Sequence, residues 1–263
     1  MMRILFLGNN WVGWQVLQWL KKQNEHIVGL VIHPVQKRKY GEEILSSAQV
    51  SPEYVFDGSQ LRQPEVLEAT RALRPDIGLS VLFGYVLQPE FLSLFPAGVV
   101  NLHPAYLPYN RGAYPNVWSI VEGTPVGVTL HYIDAGVDTG DIITQWELPI
   151  EPIDTGAILY RKLEQACVAL FKETWPLIRS GKTPRIPQCG QKGTYHLTRD
   201  VKRIDQIDLN RTYVARELID ILRARTFPPY PSAYFVHQGR KVYLRLQLLY
   251  EEQLSEVEYE AIY

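Results

Sequence analysis

The sequence predicts an α/β chain built on a doubly wound, mainly parallel sheet, with a small helix-plus-hairpin region at its C-terminal end. Three observations carry this. Short apolar runs alternate with segments of helical periodicity, glycines stand at the ends of those runs, and composition shifts after Gly181 to the linker-like stretch Lys182-Thr183-Pro184-Arg185-Ile186-Pro187.

Arg3-Ile4-Leu5-Phe6-Leu7 reads as a buried strand ending at Gly8, and Val12 to Lys22 repeats apolar residues at helical spacing (Val12, Val16, Leu17, Leu20). Ile27 to Ile32 is a second strand, Glu65 to Leu73 a helix, and Ile77 to Phe83 a third strand ending at Gly84. Gly98 to His103 is a further strand, stopped by Pro104, and Pro115 to Glu122 is the helix after the following loop. The pattern then changes. Gly127 to Ile133 and Asp141 to Leu148 alternate like strands around a turn-rich loop, Asp134-Ala135-Gly136-Val137-Asp138-Thr139-Gly140. Asp154 or Thr155 can cap a long helix running to about Arg179, with Leu159, Leu163, Ala166 and Leu170 on one face. Beyond the linker lie a helix from about Asn210 to Arg225, a proline-rich turn at Phe227 to Pro231, and two strands, Ala233 to His237 and Lys241 to Leu249. A helix and a single hairpin are too small to stand alone, so this region must dock on the first domain or on another subunit.

With 46% apolar and 21% charged residues over 263 positions, the chain can bury a sizeable core. The expected division is a large domain over 1–181 and a small C-terminal region over 182–263. A formal charge of −1, with the 27 Lys and Arg spread along the chain, gives little support to nucleic-acid binding. Cys167 and Cys189 show neither metal-ligand spacing nor a disulfide framework, so no metal is expected and Cys167 reads as inert core. The N-terminus begins a strand at once, without a signal-peptide pattern, and no apolar run reaches the roughly 18 residues of a membrane helix. A cytoplasmic protein, not bound to membranes, is the expectation.

The first turn, Gly8-Asn9-Asn10-Trp11-Val12-Gly13, lacks the second glycine of a dinucleotide fingerprint, and His33-Pro34 stands where an acidic residue would end the second strand, which argues against NAD. It is either a tight turn closing the sheet or a place where Asn9, Asn10 and Trp11 line a substrate pocket. Asn101 and His103 are two apart on a strand and so share a side, at the strand end where open α/β sheets place ligands. Taken alone, the pair is equally readable as a buried histidine beside a turn-capping amide. The loop carrying Asp134, Asp138 and Asp141 changes that balance. It lacks the calcium-loop ligand pattern, and an acid orienting a histidine fits better. Together these residues supply a general acid/base, a carboxylate to fix its tautomer, and an amide donor for an oxyanion.

Asn101-Leu102-His103-Pro104-Ala105-Tyr106-Leu107-Pro108, Arg111-Gly112, and Gly127-Val128-Thr129-Leu130-His131 leading to Val137-Asp138-Thr139-Gly140-Asp141-Ile142-Ile143 resemble the folate-dependent formyltransferases over roughly residues 1 to 180. That family includes glycinamide ribonucleotide transformylase, methionyl-tRNA formyltransferase and sugar N-formyltransferases. The resemblance implies the formyltransferase fold, a Rossmann-like doubly wound sheet, and 10-formyltetrahydrofolate as formyl donor to an amine. It implies that Asn101 holds the oxyanion, that His103 handles the amine proton or the developing charge, and that Asp138, the match to the family's acid, orients His103. Whether His103 or Asp138 is the base stays open. The folate is expected against Leu82, Phe83, Gly84, Tyr85, Val86 and Leu87 and against Asp134 in the loop, a segment otherwise readable as core strand.

The C-terminal segment Arg223 to Tyr234, with Tyr114-Pro115-Asn116-Val117-Trp118 after Arg111-Gly112, makes the chain most similar to nucleotide-sugar N-formyltransferases of surface-polysaccharide (lipopolysaccharide O-antigen) biosynthesis. This implies a nucleotide-linked amino sugar as acceptor. Asn9, Asn10, Trp11, Arg111, Tyr114 and Tyr195 are candidates to hold it, with His196, Arg199 and the Lys37-Arg38-Lys39 run also available, the run reading first as a solvated face. The base, thymidine or guanosine, and the sugar are not readable. Other readings stand beside this one: another amine such as methionyl-tRNA, a formyl-folate hydrolase, or a non-catalytic nucleotide-sugar binding module. In the last predicted strand, Val242, Leu244, Leu246 and Leu248 alternate against Tyr243, Arg245 and Gln247. That apolar face needs cover, and a homodimer is expected to supply it, unless the face packs on the first domain of its own chain.

Overall fold

The computed structural model describes residues 1–188 and 192–254. In chain order the first half contains β1 (Arg3–Gly8), α1 (Asn10–Lys22), β2 (His26–Ile32), α2 (Gly41–Ala48), β3 (Val55–Asp57), α3 (Pro64–Ala72), β4 (Ile77–Val81), α4 (Pro89–Leu92) and β5 (Val99–His103). It continues with β6 (Arg111–Gly112), α5 (Pro115–Glu122), β7 (Gly127–Tyr132), β8 (Ile142–Glu147) and α6 (Gly156–Arg179). The C-terminal region holds β9 (Tyr195–His196), α7 (Lys202–Asp205), α8 (Ala215–Ala224), β10 (Tyr234–His237) and β11 (Arg240–Tyr243).

The main sheet runs β3-β2-β1-β4-β5-β7-β8, its first five strands parallel and its last two antiparallel. The expected α/β, doubly wound, mainly parallel architecture is therefore the one observed, with the C-terminal antiparallel hairpin β10–β11. β1 shows why its sequence is an unbroken apolar run. Ile4 and Phe6 enter the core under α1 and α6, while Leu5 and Leu7 enter the core on the opposite face with Phe91, Phe95 and Val99. Cys167 lies fully buried in the first of these cores, where burial pushes its thiol pKa up. Cys189 is outside the described residues.

The chain winds from β1 outward to β2 and β3, then returns to place β4 on the other side of β1. The carboxyl ends of β1 and β4 thus flank a topological switch point, with β5 next in line. The Thr155 hydroxyl accepts from Ile158 N at 3.3 Å and caps α6, one of the two candidates named for that role.

Several boundaries differ from the sequence reading. The strand expected to reach Phe83 stops at Val81, because Leu82 takes a left-handed φ of 47°. β3 and α2, at three and eight residues, are too short to announce themselves by periodicity. The helix expected from Asn210 begins at Ala215, since Asp208 draws Asn210 N (2.9 Å) and Arg211 N (3.1 Å) into a turn. The last strand ends at Tyr243, not Leu249. Leu244 N still reaches Ala233 O at 2.8 Å, but before Ala233 the partner chain turns away through Pro228 to Pro231, and Leu246 N bonds the Thr226 hydroxyl at 3.0 Å instead. Leu244 joins Ile207, Ile221 and Ala233 in a core belonging to the C-terminal region, while Val236, Val242 and Tyr243 stay exposed.

The C-terminal region docks on the N-terminal end of α6. Ala157 N donates to Thr226 O (3.2 Å) and Arg223 Nη1 to Asp154 O (3.0 Å). Gly156 is required by this contact, since a Cβ there falls 2.1 Å from Ala224 O. Gly156→Ala should therefore lower the melting temperature. Overpacking of about 1–3 kcal/mol at about 2–4 °C per kcal/mol for a chain of this size predicts a drop of several degrees by calorimetry. An unchanged midpoint would show that the α6–α8 apposition contributes nothing to stability.

Candidate active site

Three neighbouring strands line up a row of polar side chains. Parallel pairing sets Ser80 of β4 opposite Asn101 of β5, and antiparallel pairing sets Asn101 opposite His131 of β7. Ser80 Oγ donates to Asn101 Oδ1 (2.8 Å), Asn101 Nδ2 lies 3.1 Å from His131 Nε2, and His131 Nδ1 lies 2.8 Å from Tyr132 O. A carbonyl only accepts, so His131 Nδ1 carries a proton and neutral His131 presents a lone pair at Nε2. That lone pair holds the Asn101 amide with its nitrogen toward His131 and its oxygen toward Ser80.

Asp138 enters from the loop between β7 and β8 with a left-handed φ of 53°. Its Oδ2 accepts from Gly112 N (2.9 Å) and lies 3.6 Å from His103 Nε2. Its Oδ1 lies 3.4 Å from Asn101 Nδ2 and 3.5 Å from His131 Nε2. The structure thus brings Asn101, His103 and Asp138 into one cluster and adds Ser80 and His131, whose roles the sequence reading missed although His131 stood in a quoted motif. His103 Nε2 also faces Asn110 O at 3.2 Å, which places its proton on that nitrogen and leaves Nδ1 as the basic atom of the neutral ring.

Burial holds the His103 imidazole below its ordinary value of 6.5, with His131 acting in the same direction and Asp138 opposing. Burial would raise the Asp138 carboxyl, but the neighbouring His103 and His131 and the Gly112 N–H outweigh it and hold the group well below the usual carboxylate range. At neutral pH the pair is a neutral imidazole beside an ionised carboxylate. The other two loop acids sit apart. Asp134 accepts from Gly136 N (3.0 Å) and Thr139 Oγ1 (2.6 Å), and Asp141 pairs with Arg185 at 3.7 Å.

The cluster opens into a cavity of about 500 Å³ whose wall includes Leu82 to Leu87 and Asp134, together with Asn9, Asn10 and Tyr195. Because β4 ends at Val81, residues 82–87 form a loop and not the core strand of the alternative reading. Gly84 N of this loop donates to His33 Nε2 at 3.2 Å. A second cavity of about 930 Å³ is lined by Trp11, Tyr40, Tyr114, Phe227 and Tyr230, with Arg161 and Glu164 of α6. Asn10, Lys39, Pro115 and Tyr160 border both cavities, which therefore adjoin. There Asn10 Nδ2 donates to the Tyr160 hydroxyl at 2.6 Å.

Of the basic run, Lys39 borders both cavities and bonds the Tyr230 hydroxyl at 3.0 Å, while Lys37 and Arg38 border neither. His196 borders the smaller cavity, stacked on Trp118 at 4.1 Å, and Arg199 borders neither. Arg111 is also placed differently from its sequence expectation. It borders neither cavity, because its guanidinium is engaged by Gln188 Oε1 at 2.7 and 3.3 Å. Gln188, Tyr160 and Glu164 escaped the sequence reading, since no local pattern marks a residue whose partner lies far along the chain. Among the described residues no group of three or more His, Cys, Asp or Glu is placed to hold a metal ion.

The sequence profile of the family described as "Formyl transferase" matches residues 2–174, and that described as "N-formyltransferase dimerization C-terminal domain" matches 200–250. The methionyl-tRNA formyltransferase of Acetivibrio thermocellus is 30% identical over 258 residues, 96% of this chain and 81% of that protein. A 4-N formyltransferase from Francisella tularensis superposes with a TM-score of 0.79 at 26% identity, covering 95% of this chain and 98% of that one. The formyltransferase PseJ from Anoxybacillus kamchatkensis, solved with UDP-4,6-dideoxy-4-formamido-L-AltNAc and tetrahydrofolate, is 32% identical with a TM-score of 0.57, covering 76% and 88% of the two chains.

The electrostatics of the cluster are testable without substrate. His103 should titrate below 6.5 when its ring resonances are followed by NMR, and Asp138→Asn should move the midpoint lower still by removing the charge that favours the imidazolium. Since a depressed folded-state pKa disfavours the protonated native form, His103 should also cost stability as pH falls from 6.5 through that midpoint. A His103 midpoint above 6.5 would refute this account.

Proposed function

The chain belongs to the formyl transferase family, whose profile covers residues 2–174, and we propose that it transfers a formyl group from 10-formyltetrahydrofolate to the amino group of a nucleotide-linked amino sugar. Formyl transfer to an amine follows from membership of the family. The sugar acceptor rests on one observation above others: the smaller cavity, with Asn101, His103 and Asp138, adjoins a larger one lined by aromatic rings and cations, the two sharing Asn10, Lys39, Pro115 and Tyr160. An acceptor amine has to reach His103 while a bulky remainder lies outside. The wider cavity offers Trp11, Tyr114 and Tyr230 as flat surfaces for a base, and Lys39 and Arg161 for a diphosphate. The ligands of PseJ, a nucleotide sugar and tetrahydrofolate, support the same reading. The identity to a methionyl-tRNA formyltransferase favours tRNA as the second reading, against which stands the net charge of −1.

Formyl-folate supplies an activated acyl carbon, and the loop 82–87, released from the sheet ladder beside Asp134, offers peptide groups to hold its ring. In this scheme His103 Nδ1 takes the proton that the amine loses on attack, and later returns it to the leaving nitrogen. Asp138 stays ionised throughout, so its role is to orient His103 through Nε2 and to stabilise the imidazolium; His103 is the base. Asn101 Nδ2 donates to the oxygen where negative charge develops, giving up its long 3.4 Å contact with Asp138 and keeping the shorter one to His131. We place the reaction in the cytoplasm, supplying formamido sugars for surface polysaccharide; among the described residues no helix is long and apolar enough to cross a membrane.

Mass spectrometry after incubation with formyl-folate should show a gain of one formyl group on a nucleotide-linked amino sugar, from a panel on uridine, thymidine and guanosine diphosphate. Formylation of methionyl-tRNA and of no sugar in the panel would overturn the acceptor assignment. His103→Gln and Asp138→Asn should lower turnover on the order of a hundredfold or more. Asp134→Asn and Asp141→Asn should cost much less, and the reverse ranking would show the carboxylate roles to be misassigned.

The chain is further proposed to work as a homodimer through its C-terminal region, where Val242 is exposed on one face of β10–β11 and Val236 and Tyr243 on the other, and where the dimerization profile matches. Light scattering at micromolar concentration should give twice the chain mass, and Val242→Asp should shift the population toward monomer. A monomer mass for the wild type at every concentration would refute it.

A further inference from the structure

Asp138 holds a left-handed backbone (φ 53°), a conformation that costs a non-glycine residue on the order of 1 kcal/mol and persists only where surroundings enforce it. The turn before it supplies little of that enforcement, because Asp134 and Gly136 lie at the exposed end of the loop. The buried restraint comes from elsewhere. Gln188, 7% exposed, donates from Nε2 to Asp138 O (3.1 Å) and Gly140 O (2.7 Å). Its Oε1 accepts from Arg111 Nη2 (2.7 Å) and Nε (3.3 Å). The forked guanidinium fixes which way the Gln188 amide points, since the reversed amide would set donors against donors and an oxygen against two carbonyls.

The residue after Arg111 completes a ring. Gly112 N donates to Asp138 Oδ2 at 2.9 Å, so the Arg111–Gly112 pair grips Asp138 twice, at its carboxylate directly and at its backbone through Gln188. Gly112 is itself held in place. It has φ 87°, and a Cβ there would meet His196 O at 2.4 Å, so the strand pair β6–β9 admits glycine alone at this position.

We propose that Gln188, oriented by Arg111, is a positioning residue for the reaction: it sets the angle at which the Asp138 carboxylate meets His103. The inference rests on the catalytic role assigned above to Asp138, and it gives Arg111 a role at the carboxylate instead of at the acceptor. The groups facing His103 are Asp138 from the loop, His131 from β7 and the carbonyl of Asn110, and of these the carboxylate is the one whose position Gln188 controls.

Gln188→Met keeps the length of the side chain and removes both ends of the clamp. The expected result is a kcat lower by about 10- to 100-fold, the range for lost outer-shell partners, with KM for both substrates little changed. The NMR midpoint of His103 in the same variant should move to lower pH, because the carboxylate that favours the imidazolium has drifted. In an Asp138→Asn background, Gln188→Met should have almost no further effect on kcat. An unmoved His103 midpoint in folded Gln188→Met, or an equal loss of kcat in both backgrounds, would overturn the proposal. If Gln188→Met does not fold, Arg111→Lys, which keeps the charge and loses the fork, should shift the His103 midpoint in the same direction, and no shift would again overturn it. The NMR arm needs no substrate. A wild-type protein that formylates no acceptor would therefore sink the proposed function while leaving the clamp to be judged by the His103 titration.

Discussion

The arrangement of the site depends on keeping one largely buried carboxylate charged. Burial favours the protonated form of Asp138, and leaving an ionised acid there without partners would cost several kcal/mol. What outweighs burial is convergence: groups from β5, β7 and β6 all face the two oxygens. These groups come from three separate stretches of chain, so the carboxylate is stable only when the sheet, the β7–β8 loop and the Arg111–Gly112 segment are assembled together. In the scheme proposed above, the same convergence explains how the acid and the histidine divide the labour. A carboxylate held far below its ordinary range cannot serve as a base at neutral pH, and a buried imidazole held below its own can.

Sheet topology decides where this cluster opens. The reversal of strand order around β1 leaves a crevice between the ends of β1 and β4, and the early end of β4 at Val81 turns residues 82–87 into a wall of that crevice. The antiparallel pair β7–β8 then delivers Asp138 from the far side.

The C-terminal region contributes to the site as well as to stability. Its Phe227 and Tyr230 wall the wider cavity, and Tyr230 holds Lys39 where the two cavities adjoin. The contact between Gly156 and Ala224 sets the distance between this region and α6, which carries Tyr160 and Glu164 into the same cavity. The packing of a small appendix therefore shapes the space offered to an acceptor.

The sequence by itself determined the strands and helices whose apolar period is long enough to read, such as β1, α1 and α6, and the placement of Asn101 and His103 on one side of a strand. These properties are local: side-chain direction follows from the backbone period, and proline and glycine mark where the period stops. Pairs that form across the chain were not readable in that way. Nothing near Gln188 signals that its amide will clasp a carbonyl fifty residues earlier, and nothing near Asn10 signals a phenol 150 residues later. Arg111 shows the limit most plainly. The family resemblance implied an acceptor contact for it, and tertiary folding instead brought it against Gln188, because a guanidinium takes whichever oxygen the fold sets within reach of its fork.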